Sequence, residues 1–122
     1  MHAQRAAAAL AAASLALAGC SRDAPPVATG GDPARGRALV AAYECGVCHR
    51  IPGVRGARGV VGPPLAAFGL RSFIAGRIPN TPPNLVAWVT DPPRLVPETA
   101  MPALGLDDQQ ARDVAAYLYQ LR

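Results

Sequence analysis

The chain has 122 residues, a length that allows one domain at most. It contains 12 Arg and no Lys against 8 acidic residues, and its charged residues make up only 16% of the total. The arginines are scattered and do not alternate with aromatic side chains, which argues against nucleic acid as a partner.

The N-terminus has the features of a targeting segment over residues 1–19. A polar start with His2 and Arg5 precedes an apolar run that is too short to span a bilayer comfortably. The sequence Leu-Ala-Gly-Cys that ends at Cys20 resembles the bacterial lipobox, in which a lipid is attached to the Cys thiol. We predict a protein anchored by lipid at Cys20 on the periplasmic side of a bacterial membrane. The alternative is an ordinary secretory signal with an incidental Cys.

Residues 20–31 are rich in Pro, Gly and small polar side chains, which predicts a flexible tether. The folded domain is predicted to span residues 32–122. Its first helix is expected over 33–44, with Asp32 as the N-cap and Pro33 in the first turn. Gly36 in this helix is either a weak point or a site where another helix approaches closely.

The pattern Cys-x-x-Cys-His at Cys45, Cys48 and His49 is the signature for covalent attachment of a c-type haem. Each thiol can form a thioether with a haem vinyl group, and His49 can supply the proximal nitrogen ligand of the iron. Three alternatives explain these residues less well. A zinc site needs about four ligands, and the only other His is His2. A thioredoxin-like pair needs a βαβ setting that the sequence lacks, and a plain disulfide leaves His49 unexplained.

Two later stretches bear on the same cofactor. Gly-Pro-Pro-Leu at 62–65 follows the attachment motif, and taken alone it is a turn. Pro-Glu-Thr-Ala-Met-Pro at 97–102 lies in an irregular loop over 95–106 that regular backbone bonding cannot organise. Its Met101 is the only Met besides the initiator, and a thioether can bind haem iron opposite His, which raises the reduction potential. The alternative for Met101 is a core side chain that fills a gap.

The other predicted elements are helical. A short helix is expected over 66–74, and another over 84–91 that ends before the Pro92-Pro93 pair. Trp88 on the second is either ordinary core or a haem contact. A clear helix over 107–122, capped by Asp107 or Asp108, has one apolar face, formed by Ala111, Val114, Ala115, Leu118 and Leu121.

Taken in order, the attachment motif, the Gly-Pro-x-Leu stretch, the Met101 segment and the terminal helices resemble the class I, mitochondrial-type cytochromes c over residues 32–122. The resemblance implies an all-α cytochrome c fold. Three to five short helices would wrap around one covalent haem c, and the N- and C-terminal helices would cross.

The resemblance also implies roles for individual residues. The Pro63 carbonyl would accept the Nδ1–H of His49, Leu65 and Trp88 would pack against the haem, and Met101 would be the second axial ligand. Propionate contacts would come from Thr99 and from one of Arg71 and Arg77. The family often places a Trp and a Tyr near the inner propionate, whereas this sequence offers Phe73 and Asn80 there.

The predicted function is that of a single-electron carrier in a bacterial respiratory chain, with no catalytic residue and no enzyme activity. Six iron ligands would leave no position for a substrate. The family implies a quinol-oxidising complex or a dehydrogenase as donor, and a terminal oxidase or reductase as acceptor. The alternatives are a haem-based gas sensor or small haem enzyme with a labile sixth ligand, and an accessory subunit of a larger oxidase complex.

Overall fold

The computed structural model describes residues 26–122. This part of the chain is mostly helical, as predicted, and no helix within it is long and apolar enough to cross a membrane. The helices are α1 (Pro33–Ala42), α2 (Cys45–Cys48), α3 (Pro82–Thr90), α4 (Pro92–Leu95) and α5 (Asp108–Gln120). A 3₁₀ turn at Phe68–Leu70 is followed by an antiparallel hairpin of β1 (Phe73–Ile74) and β2 (Ile78–Pro79).

The terminal helices α1 and α5 cross at Gly36. The Asp32 side chain caps α1 by accepting hydrogen bonds from the backbone N–H groups of Ala34 (2.8 Å) and Arg35 (3.2 Å). A Cβ on Gly36 would overlap the backbone carbonyl of Asp113 and lie 2.9 Å from the Cβ of Tyr117. Gly36 is therefore the site of close helix approach, because only a residue without a side chain fits between the two backbones.

A buried carboxylate fastens this crossing. Asp113 of α5 is only 3% exposed, and it accepts hydrogen bonds from the backbone N–H of Asp32 (2.7 Å), from Arg35 Nε (3.0 Å) and from Gln109 Nε2 (3.0 Å). The Arg35 hydrogen bond is the largest cause that lowers the pKa of Asp113 to about 2, and desolvation opposes it. Asp113 is therefore charged at neutral pH, and it ties the start of α1 to α5.

The last residues of the predicted tether are packed, which corrects the prediction for residues 27–31. Thr29 is 4% exposed, and its hydroxyl donates to the Arg112 carbonyl (3.1 Å) and accepts from Gly31 N–H (3.1 Å). A Cβ on Gly31 would overlap the Arg112 backbone, so small residues allow this segment to lie against α5. The targeting segment, Cys20 and the first part of the tether fall in residues 1–25, outside the described range.

The helix predicted over 66–74 is wrong. The chain instead forms the 3₁₀ turn and then the hairpin, with Ala67 and Ala75 at positive φ (54° and 49°). Phe68 is buried, and a Cβ on Gly69 would overlap the Tyr119 carbonyl, so contact with α5 fixes the turn. This tertiary contact overrides the local helical preference of the segment.

The helix boundaries differ from the predicted ones by a few residues. The first helix ends at Ala42 rather than Glu44, and α3 begins at Pro82, two residues early. The Pro92-Pro93 pair ends α3 as predicted and also begins α4, since proline suits a first helical turn. Asp107 is confirmed as the cap of α5, where its side chain and that of Gln110 form a capping box.

Candidate functional site

A cavity of about 370 Å³ lies between α1, α2, the hairpin, α3, α5 and the loop over 96–106, named here the Met101 loop. Its volume falls in the range of about 300–1,000 Å³ that ligand sites occupy, and its wall is mainly apolar. The structure brings every predicted site residue in the described range to this wall, namely Cys45, Cys48, His49, Pro63, Leu65, Arg71, Trp88, Thr99 and Met101.

His49 follows α2 and is held in one tautomer. Its Nδ1 lies 2.8 Å from the Pro63 carbonyl oxygen. A carbonyl can only accept, so Nδ1 carries the proton and the Nε2 lone pair is left to bind a metal. A Cβ on Gly62 would lie 2.6 Å from Nδ1 and 2.8 Å from Nε2, so the imidazole packs directly on this glycine. The ring is therefore fixed in orientation by both contacts.

The two cysteines lie on the single turn of α2. Glu44 precedes this turn with φ 55°, a left-handed conformation that redirects the chain after α1. Cys45 and Cys48 are half-buried free thiols, so the disulfide alternative is not formed, and burial raises the pKa of the Cys45 thiol. Residues 26–122 contain no group of three or more His, Cys, Asp and Glu side chains placed to hold a metal ion, as the zinc alternative would need.

Met101 lines the same cavity as His49 and is half-buried. Its backbone N–H donates to the Thr99 hydroxyl at 3.2 Å. Thr99 therefore shapes the backbone immediately before Met101 while its own side chain stands on the cavity wall.

The two arginines predicted as alternatives at the propionates are in different places. Arg71 lines the cavity, donates to the carbonyls of Pro64 and Ala66, and lies over the Phe68 ring, with 5.5 Å from Cζ to the centroid. Arg77 is absent from the wall and instead pairs with Glu98 at 2.6 Å. Of the pair, Arg71 is in position to contact a group in the cavity.

Phe73 and Asn80, the residues at positions where the family often has Trp and Tyr, have different surroundings. Phe73 is on the cavity wall. The Asn80 side chain faces the protein interior, where it donates to the Arg71 carbonyl (2.9 Å) and accepts from the Tyr119 hydroxyl (2.9 Å). Asn80 thus supports the segment that carries Arg71.

Several residues of the cavity wall were not predicted from the sequence. Val40, Ile74 and Leu85 are at most 1% exposed and line the cavity, as does Tyr43, whose hydroxyl bonds to Gln110 Oε1 at 3.1 Å. Val40 follows Gly36 by four residues on one helix face, which is a signal that could have identified it. Ile74 lies in the hairpin that the sequence did not predict.

The surface beside the attachment motif is apolar at its centre. Val47, Val60 and Val61 are 67%, 81% and 73% exposed, and Val61 also lines the cavity. The backbone bond from Gly59 N–H to the Gly46 carbonyl (3.0 Å) brings the Val60 segment beside Val47. We name Val47, Val60 and Val61 the valine patch.

Three exposed arginines lie in the same stretch of the chain as the valine patch. Arg50 and Arg58 pair across an isolated bridge, and both are exposed, as is Arg55. None of the three takes part in an ion pair within the described residues. The sequence has no acidic residue from Cys45 through Thr90, a signal readable without the structure.

Comparison with known proteins identifies the family. The family model for cytochrome c matches residues 33–122. Cytochrome c oxidase subunit 2 of Alkalihalophilus pseudofirmus (strain OF4) is 34% identical over 89 residues, which are 72% of this chain and 25% of that protein. The chain therefore spans about a quarter of the length of this relative.

The chain belongs to the cytochrome c family, and the match covers every element that builds the cavity. The resemblance to class I cytochromes c is confirmed. Membership in this family supports haem-based electron transfer and implies a covalently bound haem c.

Proposed function

We propose that the protein is a single-electron carrier that holds one covalent haem c, with His49 and Met101 as axial iron ligands. The observation that carries the proposal is that one apolar cavity is lined both by a histidine with its Nε2 left free and by a thioether. The donor chemistry fits the group, since two free thiols, an imidazole nitrogen, a thioether sulfur and a guanidinium all meet there.

The side chains that would hold the haem have different roles. Cys45 and Cys48 hold the macrocycle by thioethers, and the Pro63 carbonyl orients His49. Bound haem supplies the one-electron Fe(III)/Fe(II) couple, and the protein tunes its potential. Buried Leu65 and Trp88 exclude water from the cavity.

The polar residues on the wall have separate roles. Arg71 offsets propionate charge at the cavity rim, and Thr99 orients the backbone that presents Met101. With both axial positions taken, the protein would have no site for substrate chemistry, so we propose that it is not an enzyme.

The first test is the absorption spectrum of the purified holoprotein. We expect a sulfur-to-iron charge-transfer band in the ferric state and no change when carbon monoxide is added to the reduced state. A missing band together with ready carbon monoxide binding would overturn the Met101 assignment and favour a gas sensor or small haem enzyme.

Substitution of the methionine isolates its role. Met101→Ala should lose the charge-transfer band, bind carbon monoxide and lower the reduction potential, because a thioether ligand favours the ferrous state. Leu104→Ala is the matched control, since Leu104 lies on the same loop and cavity wall but has no ligand atom. The control should keep the band.

We further propose that redox partners dock on the valine patch, and that the partner's docking surface has an apolar centre and an acidic rim. This is supported by the exposed valines, by Arg50, Arg55 and Arg58, which form no ion pair within residues 26–122, and by the lack of acidic residues from Cys45 through Thr90. The partners that the family implies are a quinol-oxidising complex or dehydrogenase as donor and a terminal oxidase or reductase as acceptor.

Small charged oxidants test this surface without a known partner. In the triple variant Arg50→Gln/Arg55→Gln/Arg58→Gln, oxidation of the reduced protein by anionic hexacyanoferrate should slow and lose much of its salt dependence. Arg94→Gln/Arg122→Gln is the control, because both arginines are exposed and lie outside this loop. Equal slowing in both variants would contradict docking at the valine patch.

The similarity to part of an oxidase subunit supports a second candidate, a permanent module of an oxidase complex rather than a mobile carrier. The two differ in the lifetime of the partner contact. Purification from membranes at low and high salt distinguishes them, since a mobile carrier should separate from the oxidase activity and a permanent module should remain with it.

We also propose that the protein is anchored by lipid at Cys20 on the periplasmic side of the membrane. The support is the Leu-Ala-Gly-Cys sequence at the end of the apolar run. Mass spectrometry of the mature protein should find N-terminal Cys20 with added lipid, and Cys20→Ala should abolish lipid attachment. An unmodified Cys20 within a cleaved secretory protein would contradict the proposal.

A further inference from the structure

The Met101 loop is fixed mainly at its ends. Val96 and Leu106 are buried at 5% and 7% exposure, while the residues between them are half-buried or exposed. The hydrogen bonds within the loop are local, from Thr99 N–H to the Val96 carbonyl (3.0 Å) and from Met101 N–H to Thr99 Oγ1 (3.2 Å). These bonds shape the loop, but they do not connect it to another element.

One ion pair makes that connection. Arg77 of the hairpin region donates from a terminal guanidinium nitrogen to Glu98 Oε1 at 2.6 Å. Across residues 26–122 it is the only side-chain hydrogen bond from the Met101 loop to another part of the fold. Arg77 is the last of the three residues, 75–77, that connect the two strands of the hairpin, and Ile74 and Ala75 of the hairpin line the cavity.

The hairpin is a firm attachment point for this pair. Ile74 is 1% exposed, and β1 and β2 pair through Phe73 with Pro79 and Ile74 with Ile78. The connection between them has Ala75 and Gly76 at positive φ (49° and 72°), and the Arg77 N–H donates to the Ile74 carbonyl (3.1 Å). The ion pair therefore joins an irregular loop with two buried ends to an anchored hairpin.

The pair acts in solvent. The side chains of Arg77 and Glu98 are 60% and 62% exposed, and neither residue lies on the cavity wall. Hydrogen bonds from its own backbone and from Arg77 lower the pKa of Glu98, so the carboxylate is charged at neutral pH. Added salt should weaken such a pair.

We infer that the Arg77–Glu98 ion pair positions the Met101 loop against the hairpin and thereby slows dissociation of the Met101 thioether from the iron. The inference rests on the proposed ligation by Met101. Arg77 and Glu98 are positioning residues in this scheme, because they act through the loop and touch neither the cavity nor its contents.

The test measures how fast an external ligand replaces Met101. Cyanide is added to the ferric holoprotein, and loss of the sulfur-to-iron band is followed. Arg77→Gln and Glu98→Gln should each accelerate this loss about two- to fivefold, the size expected of an exposed ion pair. The double variant should be no faster than either single one, and Arg77→Lys should restore part of the slow rate.

Salt provides a readout that a general loss of stability would not move. The wild-type rate should rise toward the variant rates at about 1 M salt, where the screening length is about 3 Å, and the variants should respond less. Asp108→Asn is the matched control, because it breaks the exposed Arg112–Asp108 pair (2.8 Å), which lies within α5 and does not connect the Met101 loop to another element. Its exchange rate should equal that of the wild type.

The outcomes separate the two proposals. If the wild type shows the charge-transfer band but Arg77→Gln exchanges no faster than Asp108→Asn, the ion pair has no positioning role and Met101 ligation stands. If the wild type shows no band, ligation by Met101 fails and the inferred role of the ion pair fails with it. Faster exchange in both Arg77→Gln and Glu98→Gln, with the band intact before cyanide is added, supports the inference.

Discussion

The cavity has two sides that are built differently. On the side of His49, backbone bonds from Gly59 N–H to Gly46 (3.0 Å) and from Gly62 N–H to Cys48 (2.8 Å) interlock the attachment motif with the loop that follows it. On the other side, the Met101 loop has only local hydrogen bonds and one exposed ion pair. The proposed ligand His49 is thus fixed in position and tautomer, while the proposed ligand Met101 lies on a segment that the fold holds more weakly.

The two sides of the cavity therefore differ in how closely they are tied to the stability of the fold. The His49 side follows directly on α1, and α1 packs against α5 at the helix crossing. We expect the Met101 loop to change conformation without unfolding of the domain, because its buried residues are at its ends. Changes on the two sides should therefore have effects of different size and kind.

Removing covalent attachment should have the largest effect. In Cys45→Ala/Cys48→Ala, the cavity of about 370 Å³ loses the group that would fill the thin core. We expect a largely unfolded or molten chain, measured by circular dichroism during thermal unfolding. Native helix content with a cooperative transition would show that the described fold does not depend on the attached group.

The helix crossing should be the next most sensitive point. Gly36→Ala should lower the free energy of unfolding by about 1–3 kcal/mol, because its Cβ overlaps the Asp113 carbonyl. Helix propensity favours Ala by only about 1 kcal/mol, so steric overlap decides the sign. Denaturant unfolding of the ferric holoprotein measures the change, and equal or greater stability would contradict the packing at this crossing.

A pair of glycines compares the two sides directly. Gly62→Ala should destabilise the holoprotein by about 1–3 kcal/mol and change the haem absorption spectrum, because the new Cβ overlaps the His49 imidazole. Gly105→Ala, in the Met101 loop, has open space around it and only the strain of φ 76°, worth about 1 kcal/mol. A larger spectral change in Gly105→Ala than in Gly62→Ala would contradict the view that the His49 side is packed more tightly than the Met101 loop.

The smallest expected effect comes from pH at the helix crossing. The folded-state pKa of Asp113 is depressed to about 2 from an ordinary 3.8, so its contribution is complete above about pH 4 and is lost as the pH falls toward 2. Because Arg35 is 62% exposed, we expect only about 1–2 kcal/mol.

Comparison of variants isolates this contribution. The stability difference between wild type and Asp113→Asn should shrink between about pH 4 and pH 2 in denaturant unfolding measurements. Asp108→Asn, at a residue that is 73% exposed in its side chain, should show a much smaller change over that range. A constant difference between wild type and Asp113→Asn would contradict the role of the buried carboxylate.

The sequence by itself determined the family, the order of the site residues and most of the helices. Attachment needs fixed residue types at fixed spacing, so Cys45, Cys48 and His49 were readable directly. Capping and helical periodicity are local in the same way, and they correctly indicated the starts of α1 and α5.

Only the tertiary structure decided how these parts meet. The hairpin replaces a predicted helix because Phe68 and Gly69 are fixed against α5, a contact distant in the sequence. Arg71 and Arg77 are equivalent propionate candidates in the sequence, whereas in the structure Arg77 pairs with Glu98, 21 residues away. Such pairings depend on which segments pack together, and no local pattern of residue types contains that information.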